Sequence, residues 1–105
     1  MFRTVLSFAG FAVREAGDGY TALNLVEQER PNAIVLDLGL PNVSGEVVLQ
    51  ELAATPVTRS IPVVIVTGLP GAHEYEQAAC VLRKPITPDR LVHTVRACLL
   101  AASST

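Results

Sequence analysis

Two short runs, AIVLDL at residues 33–38 and IPVVIVT at residues 61–67, constrain this chain more than any other feature. Both are rich in β-branched residues, carry almost no polar interruption and are bounded by Pro or Gly. A strand that is apolar all round needs cover on both of its faces, which is the pattern of a buried parallel sheet. Two weaker strands are predicted beside them: residues 12–16, which carry Arg14 and Glu15 and suit an edge, and residues 80–83, which are partly polar.

Helices fill the intervals. Thr87-Pro88-Asp89 supplies a cap, a proline at the first helical position and an acid near the positive end of the helix dipole. Leu91, Val92, Val95, Cys98, Leu99 and Ala102 then follow at helical spacing. Asp18 can cap a helix from about Tyr20 to Glu29 with Ala22, Leu23 and Val26 inward, which must stop before Pro31. Ser44 can cap a third helix, buried through Val48, Leu49 and Leu52 and ended by Thr55-Pro56. Between Pro70 and Ala79 there is room for about two turns. Phe2, Val5, Leu6 and Ala9 predict a short opening helix closed by Gly10.

Strands alternating with helices imply right-handed crossovers and a doubly wound parallel α/β sheet. Its 105 residues make one domain, residues 1–105, with residues 100–105 expected as a loose tail. Half the chain is hydrophobic and 17% is charged, which excludes a disordered chain. A net charge of −2 gives no footprint for nucleic acid or an anionic membrane, and charged residues interrupt every apolar run before membrane-spanning length. Cys80 and Cys98 have no disulfide or metal spacing, so a reduced, cytoplasmic setting is expected.

In such sheets ligands sit beyond the carboxyl ends of the strands. Asp37, Thr67 and Lys84 each stand at one of those ends. Singly, each has an ordinary use: Asp in a turn, Thr closing a strand, Lys guarding an edge. Together they offer a carboxylate, a hydroxyl and an ammonium, a set that suits an anionic group formed on Asp37. Elsewhere the motifs are weak. His73 belongs to no HExxH pair, His93 falls on the polar side of the last helix, and Cys98 fits its apolar stripe. No nucleophile–base pair points to a hydrolase.

The motifs VLDLGLP at 35–41, followed by Ser44-Gly45, then VVIVTG at 63–68 and LRKP at 82–85, resemble those of response regulator receiver domains. GFAVREAGDG at 10–19, RSIPV at 59–63 and TPD at 87–89 extend the resemblance to nearly the whole chain. It implies a flavodoxin-like sheet, ordered 2-1-3-4-5 in the family. It also implies a signalling module rather than an enzyme: Asp37 as phosphoacceptor from a histidine kinase or phosphotransfer protein, Thr67 reading the phosphoryl group and Lys84 pairing with it. Mg²⁺ is the implied cofactor, with Asp37 and the backbone carbonyl of Gly39 as ligands.

Three departures qualify that expectation. The family's first strand and its adjacent acid pair have no counterpart, so four strands are expected and the metal site is incomplete. The segment between Thr67 and Lys84 is short, and Val81 stands where the family carries an aromatic switch residue. With one strand absent, three outcomes are open: the neighbouring strands close up, a second copy completes the sheet by swapping or edge pairing, or the sequence is a fragment whose start lies upstream. The alternative function is a degenerate receiver-like interaction or dimerisation module that is not phosphorylated.

Overall fold

In the computed structural model, residues 2–37, 45–68 and 80–103 are described. They form helices α1 (Phe2–Phe8), α2 (Gly19–Glu29), α3 (Gly45–Ala54) and α4 (Pro88–Ser103), and strands β1 (Ile34–Asp37), β2 (Val63–Thr67) and β3 (Cys80–Arg83). The sheet is parallel throughout, in the order β1-β2-β3.

Local chemistry sets the helix ends where the sequence placed them. The Asp18 carboxylate accepts from the Thr21 amide at 2.9 Å, and Thr87 Oγ1 accepts from the Arg90 amide at 3.2 Å. Gly10 takes a φ of +99° just past α1, a left-handed value that suits glycine. Ahead of Pro31, α2 ends with Arg30 at a φ of 47° and its N–H bonded to the Val26 carbonyl. The cap expected from Ser44 and the short helix expected at 70–79 lie outside the described residues. At the other end α4 runs on to Ser103, through residues expected to be loose; Ser104 and Thr105 lie outside the described residues. The apolar stripe that buries Leu91, Val95 and Cys98 stops before Ala102, which is exposed.

All five residues of β2 are buried, as its unbroken apolar run requires. They alternate between two cores. Val63 and Ile65 pack with Val26, Leu36, Val48, Leu49 and Leu52 beneath α2 and α3. Val64 and Val66 pack with Leu6, Leu82, Leu91, Val95 and Cys98 beneath α1 and α4. Arg96 ties α4 to the turn after α1, donating to the Ala9 carbonyl at 3.1 Å and lying 6.0 Å over the Phe11 ring.

One strand expectation is corrected. Residues 12–16 are expected as one of four strands, and they join no sheet; three strands are found among the described residues. A ladder needs its neighbour within about 4.9 Å. Instead of closing up, residues 12–16 and β1 both line an apolar slot of about 500 Å³.

Candidate functional site

The pairing register explains how three residues far apart in sequence reach one end of the sheet. Asp37 on β1 is the register partner of Val66, and Thr67 on β2 is the partner of Arg83. Lys84 follows directly, and its backbone amide donates to the Thr67 carbonyl at 2.8 Å, which fixes the start of the lysine side chain at the tip of β2. The Lys84–Pro85 peptide bond is cis.

From there Lys84 reaches across the sheet. Its Nζ donates to Asp37 Oδ2 at 3.0 Å, bridging β3 to β1 over the end of the intervening strand. The path crosses Gly68: a Cβ there would lie 3.8 Å from Lys84 Cβ and 3.9 Å from its Cδ.

The environments of the three differ. The Asp37 and Lys84 side chains are 37% and 45% exposed, so the charged pair meets solvent, whereas Thr67 is buried at 1%. The arrangement is a partly exposed carboxylate with a flexible ammonium against one of its oxygens. The contact is adjustable because the ammonium carries three N–H donors on a flexible four-carbon stem.

The donors do not by themselves suit Mg²⁺. That ion takes about six oxygens near 2.0–2.1 Å. Among the described residues, no group of three or more His, Cys, Asp or Glu is placed to hold a metal ion, and one oxygen of Asp37 already faces an ammonium. Gly39, the other implied ligand, lies outside the described residues. So does His73, while His93 is exposed and Cys98 buried, as their positions suggested.

A model of the response regulator receiver domain family matches residues 1–96. The chain belongs to that family. The polar-differentiation response regulator DivK of Brucella anthropi is 32% identical over 104 residues, spanning 94% of this chain and 85% of the relative. A crystal structure of a response regulator from Chloroflexus aurantiacus superimposes with a TM-score of 0.86 at 28% identity, covering 95% of this chain and 86% of the other. The receiver domain of a sensor histidine kinase from Pseudomonas aeruginosa shares the fold, with a TM-score of 0.81 at 23% identity over 92% of this chain and 84% of its own. That structure carries a magnesium ion in its active-site cleft. The protein is therefore a receiver domain of two-component signalling with the CheY-like α/β fold, and among its described residues no helix is long and apolar enough to cross a membrane.

Proposed function

We propose that this receiver domain accepts a phosphoryl group on Asp37 from the phosphohistidine of a histidine kinase or phosphotransfer protein, in the cytoplasm. One observation carries the reading: Lys84 Nζ lies 3.0 Å from Asp37 Oδ2 at the carboxyl end of the sheet. In the transfer, an Asp37 oxygen attacks phosphorus, the nitrogen–phosphorus bond of the donor breaks, and the electron pair leaves with the imidazole. The product carries about −1.5 to −2 charge and three new acceptor oxygens. Lys84 neutralises one of these, and the hydroxyl of Thr67 has the chemistry to donate to another. The chain's own part is thus to present the carboxylate, hold a cation beside the developing charge and supply a donor at the tip of β2.

Incubation with acetyl phosphate and magnesium, followed by intact mass measurement, tests this. A single phosphoryl increment is expected in the wild type and none in Asp37→Asn. Failure to detect any increment at millimolar magnesium overturns the assignment of Asp37 as phosphoacceptor.

A further inference from the structure

We infer that Cys80 and Cys98 form one modification site: a thiol pair that an oxidant of the peroxide class converts into a disulfide joining the start of β3 to α4. The inference does not rest on phosphorylation at Asp37.

Seventeen residues separate the two cysteines in the chain, and the fold is what brings them to one place. Partners in a parallel ladder direct their side chains to the same face of the sheet. Cys80 is the partner of Val64, and Leu82, two residues on, is the partner of Val66. Val64, Val66 and Leu82 lie in the core beneath α1 and α4, and Cys98 is buried in that same core. Cys80 therefore stands on the face that α4 covers.

Helix phase decides between the two sides of that face. At 3.6 residues per turn, Val92 and Leu99 fall on one margin of the buried stripe of α4, and Leu91 and Cys98 on the other. Val92 shares a groove with Val5 and Phe8 of α1, and Leu99 borders the slot beside β1. The margin that carries Cys98 is thus turned from β1 toward β3, on the far side of β2. The levels match too. α4 begins beyond the carboxyl end of β3 and packs back on it. From Leu91 to Cys98 the helix rises about 10 Å, and from Leu82 back to Cys80 the strand covers about 7 Å. The two thiols also sense each other: after burial, Cys80 is the second cause that raises the Cys98 thiol above its ordinary value. Both cysteines are free.

Exposure divides the roles. Cys80 is half-buried and meets a reagent from solution first, whereas Cys98 is buried. The Cys80 sulfur attacks one peroxide oxygen, the oxygen–oxygen bond breaks and water leaves, giving a sulfenic acid. The Cys98 sulfur then attacks the Cys80 sulfur, the sulfur–oxygen bond breaks and a second water leaves. Two thiols lose two electrons and two protons, and hydrogen peroxide becomes two waters. In a reducing compartment such a disulfide is transient, and cellular thiols restore the pair. Cys80 and Lys84 stand four residues apart along the β3 segment, about 13 Å in extended chain, so the thiol site leaves the carboxyl end of the sheet unobstructed.

The test treats the reduced whole chain with hydrogen peroxide, quenches it with N-ethylmaleimide in denaturant and weighs it intact. A monomer lighter by two hydrogens and carrying no maleimide is expected, with tryptic peptides 60–83 and 97–105 joined. Dithiothreitol is expected to return both thiols, and the oxidised monomer to melt at a higher temperature than the reduced one. Cys80→Ser is expected to leave Cys98 open to maleimide after the same treatment. A wild-type chain that still takes two maleimides overturns the proposal. So does added oxygen without loss of the two hydrogens, or disulfide-linked dimers in place of the linked monomer. A linked monomer that melts below the reduced chain also overturns it, because the fold then does not hold the thiols in bonding geometry. The wild-type readouts stand whether or not the variant folds. The same linkage is expected in Asp37→Asn, so failure of the phosphoacceptor reading leaves this one untouched.

Discussion

Lys84 Nζ and Asp37 Oδ2 lie 3.0 Å apart although their residues stand at opposite edges of the described sheet, with the whole of β2 between them. The lysine starts its reach from an amide anchored on the Thr67 carbonyl, and its stem passes beside Gly68. The pair is solvent-facing, so its contribution to folding is small.

Lys84→Ala is accordingly expected to shift unfolding by less than about 1 kcal/mol, the range for exposed ion pairs. Urea titration followed by circular dichroism measures this, with the m-value unchanged. The same variant is expected to take up phosphoryl groups from acetyl phosphate more slowly than wild type. A loss of stability of several kcal/mol would instead make Lys84 a structural residue.

Ile65 is fully buried at the centre of β2 and packs into the core beneath α2 and α3. Ile65→Ala is expected to cost about 2–5 kcal/mol, enough to leave much of a domain this size unfolded. Leu100, 70% exposed on α4, is the control: Leu100→Ala is expected to stay within about 0.5 kcal/mol. Thermal melts of the two variants side by side distinguish them.

The caps of α2 and α4 are expected to behave independently. Asp18→Ala and Thr87→Ala each remove a side-chain acceptor for a first-turn amide, at a cost of about 0.5–2 kcal/mol apiece. They sit on separate helices with no shared partner, so the double variant should show the sum within about 0.5 kcal/mol. A marked excess over the sum would reveal coupling between the two helices.

Burial, with Cys80 nearby as the second cause, pushes the Cys98 thiol above its ordinary value. The unfolded chain therefore gives up this proton at lower pH than the folded one. The stabilisation is complete below the unfolded-state value and is lost as pH rises through the folded-state value, so stability declines on the alkaline side. Cys98→Ala is expected to be less stable at neutral pH but to lose less on going alkaline. Denaturation midpoints over an alkaline pH series check this, and parallel curves for the two proteins would sink it.

What the sequence disclosed and what it withheld follow physical lines. Strand tips and helix caps were legible because they depend on a few adjacent residues: Asp18, Thr87, Gly10 and the β-branched runs act locally. The convergence of Asp37 and Lys84 was legible from the parallel topology alone. The reach of Lys84 over Gly68 was not, since it depends on the register of β3 against β2. The strand expected at residues 12–16 failed to form for the same kind of reason. Their alternation describes a strand surface, but a strand also needs a neighbour at ladder distance, and that is a property of the whole sheet. Val81 is a smaller case: it packs at the margin of the core beneath α2 and α3, a place its residue type allows but does not dictate.

Because β2 is apolar on both sides, hydrophobicity alone gives little protection against its sliding by a residue, which would exchange the two sets of buried side chains. Its ends supply what its middle lacks. Pro62 has no N–H to offer, so its carbonyl alone meets β1, at Ile34, and the Thr67 carbonyl is held by Lys84. The Lys84 amide is thus also a stop that keeps the strand in place, and because it holds the main-chain carbonyl of Thr67, the stop survives a change of the Thr67 side chain.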